Sequence, residues 1–473
     1  MGKILDVIIV GAGTAGLSAL REVKKQTDQF MIINDGPWGT TCARVGCMPS
    51  KLLIEAANAF HHRNTFAEFG INGADSLTID IPKVLRRVRK LRDDFVSSTI
   101  TTTTELGKKA ISGRARLIAP DTIEINGEKL RAHKIILATG TRPIIPEPWR
   151  KLGKQLLTTD TLFEQKKLPA RIGVIGMGPI GVEMAQALSR LGIQVSAFGS
   201  RNTIAGISDP EINETAIQLL QKEFPIYLGS RADVVTDHKK IQITAGKSAI
   251  EVDSILVALG RQPNIDQLGL ETLGITLNDK GMPSFNPNTL QIEDLPIFLA
   301  GDANGEKAIL HEAADEGFIA GYNATRSENF CFKRRTPLGI IFCDPNIAIV
   351  GQRYKELSKQ KNKFVIGKVN FANQGRARAS LNNKGLLHVY ANAKNGTLLG
   401  AEMCAPAGEH MAHLLALAID RKLTVHQLLH MPFYHPVLEE GLRTALRSIT
   451  AQLPIGRVPD LTLCSRLNTN AID

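Results

Sequence analysis

The sequence predicts an α/β protein with two units built on parallel sheets and a separate C-terminal α+β domain. Two observations carry this. A strand, a glycine loop and a helix recur in the same order about 165 residues apart, at Gly11-Ala12-Gly13-Thr14-Ala15-Gly16 and at Gly176-Met177-Gly178-Pro179-Ile180-Gly181. After about residue 340 the texture changes to alternating strand-like runs around one long apolar helix.

The first copy begins at the N-terminus. Residues 4–10 are an apolar β run, 17–26 read as a helix, and Phe30 to Ile33 as a second strand. Gly11 permits a tight turn, Gly13 lets backbone approach a pyrophosphate, and Gly16 lets helix and strand pack closely. An acidic residue usually ends the second strand of such a unit and binds ribose hydroxyls. Here Asn34 stands at that spacing with Asp35 beside it, and either can fill the role.

In the second copy Arg171 to Ile175 is a strand, Val182 to Leu191 a helix and Ile193 to Phe198 a strand. Gly199, Ser200 and Arg201 follow, with no acid among them. An acid there would repel a 2′-phosphate, and Arg201 can pair with one. The expectation is that NADPH is accepted as well as, or better than, NADH. One such loop is a weak signal. Two in the same context point to two Rossmann-like dinucleotide-binding domains, holding two dinucleotides or one dinucleotide and a duplicated fold.

Two further motifs echo each other. Ala138-Thr139-Gly140 and Ala258-Leu259-Gly260 each end a strand and would bring backbone close to a cofactor. Leu299-Ala300-Gly301-Asp302 ends another strand and leads into a helix from about His311. In the C-terminal region, runs at 364–371, 386–391 and 397–403 flank a helix at 411–419. The expected division is 1–150, 151–270, a central segment 271–340, and 341–473.

Six cysteines lie at 42, 47, 331, 343, 404 and 464. The first two stand five positions apart in Thr41-Cys42-Ala43-Arg44-Val45-Gly46-Cys47-Met48-Pro49-Ser50-Lys51, ahead of an apolar helical run. A thiolate is the nucleophile, and the start of a helix favours its charge. A dithiol so near a dinucleotide loop is placed to exchange electrons with it. A metal site would need further ligands at close spacing, and none lie nearby. The other four cysteines read as buried apolar residues or bystanders.

Composition narrows the class. The chain has 473 residues, 43% hydrophobic and 22% charged, and suits a folded protein of about three domains. No apolar run reaches the ~18 residues of a membrane span, and the N-terminus reads as a first strand rather than a signal peptide, so a cytoplasmic location is expected. The formal charge is +11, yet no nucleic-acid motif is present. The densest basic run, Lys83 to Arg92, alternates with Val84, Leu85, Val88 and Leu91 at helical spacing. It reads as an amphipathic helix with a solvated basic face.

Val45-Gly46-Cys47-Met48-Pro49-Ser50-Lys51, with both glycine loops, Leu259-Gly260-Arg261-Gln262-Pro263-Asn264, Ala300-Gly301-Asp302 and His435-Pro436, resembles the class I pyridine nucleotide-disulfide oxidoreductases over nearly the whole chain. Within that family it is similar to the dihydrolipoamide dehydrogenases; siblings include glutathione reductase and mercuric reductase. The resemblance implies FAD in the first domain and NAD or NADP in the second. It implies that Cys42 is the interchange thiol, Cys47 the thiol beside the flavin, Lys51 the lysine near flavin N5 and Glu183 its partner. Asp302 would bind the ribityl chain, and Thr41, Thr139, Gly140, Gly260, Arg261 and Gly301 would belong to the cofactor sites. His435 would be the acid/base oriented by Glu440, supplied across a homodimer interface. The implied activity is dihydrolipoamide oxidation by NAD⁺, possible partners being lipoyl carrier domains of a 2-oxoacid dehydrogenase complex. Reduction of another disulfide by NADPH, or a mainly binding role, are the alternatives. Three departures stand out: Thr40 replaces a glycine before the first cysteine, Phe433 replaces a histidine, and Val437 replaces a threonine.

Overall fold

The computed structural model describes residues 4–237, 240–360, 363–454 and 459–461. Cys464 lies outside them. The first sheet is parallel at its heart. Leu5–Val10 sits between Phe30–Asn34 and Glu128–Leu137, with Ala110–Ser112 beyond the former and Ile297–Leu299 beyond the latter. Val7, Ile8 and Ile9 are wholly buried, as expected of a strand covered on both faces. The front half of Glu128–Leu137 also pairs antiparallel with Thr122–Ile125, which pairs with Arg116–Ala119.

The second unit repeats the plan. Its parallel sheet runs Ile226–Leu228, Gln194–Gly199, Arg171–Ile175, Ser254–Val257, Leu156–Leu157, and an antiparallel meander covers residues 233–252. The chain enters through Thr141–Pro143 and leaves through Arg261–Pro263, which pair with each other. The strand Ile297–Leu299 then rejoins the first sheet. The last sheet is antiparallel, ordered Leu338–Ile341, Asn346–Gly351, Leu398–Ala405, Leu386–Asn392, Phe364–Asn370, and helices Gly408–Asp420 and Glu440–Thr450 pack on it.

The helices start earlier than the hydrophobic pattern suggests. Thr14–Val23 and Pro179–Arg190 begin inside their glycine loops, because Gly13 and Gly178 are the capping residues. The basic helix spans Ile81–Thr104, capped by Asp80, and its reading as a solvated face needs correcting. Lys83, Arg86, Arg87 and Lys90 are exposed. Arg89, however, donates to the carbonyls of Phe163 and Gln165, and the buried Arg92 binds Glu164, Asp93 and the carbonyl of Arg44. These two arginines tie the cysteine loop to the start of the second unit.

Candidate active site

The two glycine loops have one geometry. Gly11 has φ +108° and Gly176 has φ +107°, and a Cβ on either would lie 2.2 Å from a carbonyl oxygen, of Ala138 and Ala258 respectively. Gly16 and Gly181 press on the carbonyls of Gly11 and Gly176. The middle glycines differ in kind. Gly13 and Gly178 have ordinary negative φ, and a Cβ there would meet nothing within 4 Å. The fold itself therefore does not require glycine at these positions, but a group lying against the backbone would. Neither following helix has a side-chain cap, so its first N–H groups point outward as anion donors.

Beside the first loop lies a cavity of about 390 Å³, lined by Gly11, Asn34, Asp35, Arg114, Thr139 and Arg142 among others. The buried Thr139 hydroxyl has no hydrogen-bond partner among the described residues. Asn34 turns its amide into the loop: its oxygen accepts from Ala12 N at 3.1 Å and its nitrogen donates to the carbonyls of Gly36 and Pro37. Asp35 is exposed, 3.5 Å from the Arg114 guanidinium. These features fit a dinucleotide, and Asp35 is the residue left free for a ribose. After the strand Ile297–Leu299, Asp302 accepts a hydrogen bond from Thr141, whose hydroxyl accepts from Arg261. Burial pushes the Asp302 carboxyl up, against Thr141 and Arg261, which pull it down. Gly140 and Gly301 flank this end with positive φ. The amide of Gly301 donates to the buried Glu316 of helix Leu310–Ala324.

The second loop opens on a cavity of about 590 Å³ lined by Gly176, Gly178, Ser200, Arg201, Arg231, Gly260 and Arg261 among others. It fits a second dinucleotide because the same glycine geometry and an uncapped helix start face it. Arg231 escaped the sequence reading. It lies 30 residues beyond Arg201, ahead of the meander, and only the fold brings the two to one wall.

Cys42 is the second residue of the short helix Thr41–Val45, and Cys47 opens the helix that follows it. Thr40 caps Thr41–Val45 by accepting from Ala43 N, so the departure from glycine supplies a cap. Cys47 is the first residue of helix Cys47–His61. A hydrogen bond from Cys42, and then the charge of Lys51, lower the Cys47 thiol to about 7 in spite of burial. Cys42, the donor in that bond, is pushed up. One turn further on, Lys51 Nζ meets both oxygens of Glu183 at 2.8 and 2.9 Å, bridging the first unit to the second glycine-loop helix. The ring of Phe342 covers Lys51, and its amide donates to Glu183 at 2.9 Å. Phe342 is invisible in sequence because it arrives from the C-terminal unit.

His435 and Glu440 meet as expected. Nδ1 lies 3.1 and 3.2 Å from the two carboxylate oxygens, and Val437 N donates to the same carboxylate. The helix Glu440–Thr450 starts at Glu440, so His435 precedes it and can turn back onto the carboxylate. The His435 bond is the main cause of the low Glu440 pKa. The His435 side chain is 80% exposed and stands in the C-terminal unit, whereas the cysteines belong to the first. Cys343 and Cys404 are buried, and Cys331 is exposed.

Comparison with known proteins agrees with this geometry. Residues 5–317 match the family described as pyridine nucleotide-disulphide oxidoreductase, and 338–446 match its dimerisation domain. The chain is 30% identical over 464 residues to a dihydrolipoyl dehydrogenase of Thermus scotoductus, covering 95% of this chain and 98% of that one. It is 27% identical over 455 residues to a mercuric reductase of Staphylococcus aureus, covering 93% and 81%. The Cu(II) complex of the HOCl-induced flavoprotein disulfide reductase RclA from Escherichia coli shares the fold, with TM-score 0.83 at 21% identity over 95% of this chain and 100% of that one.

Proposed function

Since the chain belongs to the pyridine nucleotide-disulphide oxidoreductases, FAD-dependent enzymes that use NAD(P), we propose that it oxidises dihydrolipoamide with NAD⁺ through a Cys42–Cys47 disulfide. The observation that carries this reading is the placement of the cysteine pair: Cys42 in the short helix Thr41–Val45 and Cys47 opening the next helix, one turn ahead of the Lys51–Glu183 pair. The dimerisation domain indicates a homodimer, and no described helix is long and apolar enough to cross a membrane.

In this reading His435 of the partner subunit takes a proton from one substrate thiol, with Glu440 fixing the ring and stabilising its imidazolium form. The substrate thiolate attacks Cys42 Sγ, the Cys42–Cys47 bond breaks, and Cys47 leaves as thiolate. As the second substrate sulfur displaces Cys42, Cys42 takes the proton held by His435, and His435 then accepts the proton of that second substrate thiol; the cyclic disulfide departs, leaving a Cys42 thiol, a Cys47 thiolate and an imidazolium. The protein has gained two electrons. FAD, when bound, supplies the path by which that electron pair passes to NAD⁺ as hydride. Lys51 stabilises the Cys47 thiolate, and Glu183 holds Lys51. Asp302, Thr139, Asp35 and the Gly13 loop would hold FAD, and the Gly178 loop with Ser200 and Arg201 the coenzyme.

A second reading, reduction of another disulfide by NADPH, is favoured by Arg201 and Arg231 on one wall of the coenzyme cavity. The test is NADH and NADPH oxidation by the FAD-loaded enzyme with oxidised lipoamide or glutathione disulfide. A kcat of ~10–1000 per second on lipoamide is expected. Turnover confined to glutathione disulfide would replace the first reading by the second.

A further inference from the structure

The coenzyme cavity has a wall that is held from outside its own unit. Residues 200–209 leave the strand Gln194–Gly199, carry Arg201, Thr203 and Gly206 past the cavity, and end at the cap of helix Pro210–Leu220. Within the unit, Ala205 N donates to the carbonyl of Met177, inside the glycine loop, at 2.8 Å. This bond ties the segment to the phosphate loop.

The far end of the segment is gripped by the dimerisation sheet. Glu402 is wholly buried in the middle of strand Leu398–Ala405. One of its oxygens accepts from Ser208 N at 2.7 Å and Asp209 N at 3.0 Å. The other accepts from the Ser208 hydroxyl and from Tyr354 N. Asp209 caps its helix with one oxygen. With the other it meets His388 Nδ1 at 2.7 Å and accepts from the Tyr390 hydroxyl at 2.9 Å. Asp209, His388, Tyr390 and Glu402 are all nearly or wholly inaccessible to solvent. Arg353, also from the last unit, donates to the carbonyl of Gly206.

A buried carboxylate is costly unless every oxygen is satisfied, and here the donors that satisfy Glu402 belong mostly to the neighbouring unit. None of the proposed chemistry uses these groups. We propose that Glu402, His388 and Tyr390 are positioning residues for coenzyme binding: from the dimerisation sheet they fix residues 200–209, and through Ala205 and Met177 the phosphate loop, in the coenzyme-competent shape. This rests on the 590 Å³ cavity being the coenzyme site. It makes the unit that joins two subunits also part of the frame that binds NAD(P).

The experiment compares Glu402→Gln, Tyr390→Phe and Ser208→Ala in the FAD-loaded dimer. Calorimetric titration with NADH and NADPH gives coenzyme affinity, and rapid mixing follows the two half-reactions separately. Glu402→Gln places an amide NH₂ against two donors, and about a tenfold loss of coenzyme affinity is expected, the factor equivalent to 1.4 kcal/mol. Tyr390→Phe and Ser208→Ala each remove one hydroxyl and should weaken affinity a few-fold; they carry the test if Glu402→Gln does not fold. Reduction by dithiol should stay within about twofold. Unchanged coenzyme affinity in folded variants, or equal losses in both half-reactions, would overturn the proposal. Gly178→Val is the control on the cavity. If it leaves coenzyme binding intact, the site assignment fails and takes this inference with it; if it abolishes binding while Glu402→Gln, Tyr390→Phe and Ser208→Ala do not weaken it, only the positioning role fails.

Discussion

The two glycine-loop units share a turn to within a degree of φ and a tenth of an ångström of contact, yet part company where their second strands end. In the first unit Asn34 folds back onto Ala12 and the Gly36–Pro37 turn, leaving an acid, Asp35, at the rim. In the second, Gly199 and Ser200 lead straight to Arg201, and Arg231 joins it at the same wall. The shared part is dictated by backbone sterics and by the N–H groups of an uncapped helix, which suit any pyrophosphate. The part that differs decides which dinucleotide sits there. The exits differ too: the first unit runs on into a dithiol, and the second into a segment held by the dimerisation sheet.

The strongest way to break this pairing is to apply the same substitution to both loops. Gly11→Val and Gly176→Val each drive a side chain into a carbonyl oxygen at a backbone angle valine does not adopt. Each is expected to destabilise its unit by about 4 kcal/mol or more. The consequences should nevertheless diverge. Gly11→Val should yield protein without bound flavin. Gly176→Val should yield yellow protein that dithiol reduces and NADH does not. Absorbance spectra before and after each reductant check this; equal flavin loss in both variants would show that the loops do not serve separate ligands.

Much of this was legible because it is local. Glycine spacing, the Cys42–Cys47 interval and the Gly301-Asp302 turn are set by neighbours in sequence, and the structure puts each at its sheet's C-terminal edge or helix start. The His435–Glu440 meeting was legible only through the family resemblance of His435-Pro436, and the helix start at Glu440 is what makes it possible. What sequence concealed comes from afar. Arg231 comes to line the same cavity as Arg201 from beyond the neighbouring strand, and Phe342 covers Lys51 from the last unit. Arg92 reads as one more cation on a charged helix until its carboxylate and carbonyl partners appear. Helix periodicity marks which residues face inward but not which inward cations find acceptors.

A smaller effect sharpens the contrast at the second strands. Arg201→Glu would give the second unit an acid near the place where the first has Asp35. The kcat/KM ratio of NADPH over NADH should fall by ~10–100-fold, the loss of one charge-assisted phosphate contact and its replacement by repulsion. Arg231→Ala alone should give a milder fall in the same direction. A ratio unmoved by either change would place the 2′-position elsewhere on the wall.

The smallest effect concerns the dithiol at the first unit's exit, and it follows from proton position alone. Cys47 titrates at about 7, so it is thiol below that pH and thiolate above it. Its main support is the Cys42 hydrogen bond, and the Lys51 charge comes after it. Cys42→Ala removes the donor and should move the titration of Cys47 up towards the ordinary thiol value. Cys42→Ser keeps a hydroxyl donor and should move it less. Lys51→Met leaves Glu183 without its cation beside the thiol, so it too should raise the titration. Site-resolved alkylation of Cys47 in the reduced enzyme, followed by mass spectrometry from pH 5 to 10, separates these cases. At pH 7 the Cys42→Ala protein should react about fivefold more slowly than the Cys42→Ser protein if the donor supplies a full pH unit of the shift, because the thiolate fraction then falls from about a half to about a tenth. Equal profiles would mean that the helix start and Lys51 hold the thiolate without Cys42. The dithiol would then need no proton held between its two sulfurs, and the asymmetry between attacking and storing thiol would have to come from the bound flavin.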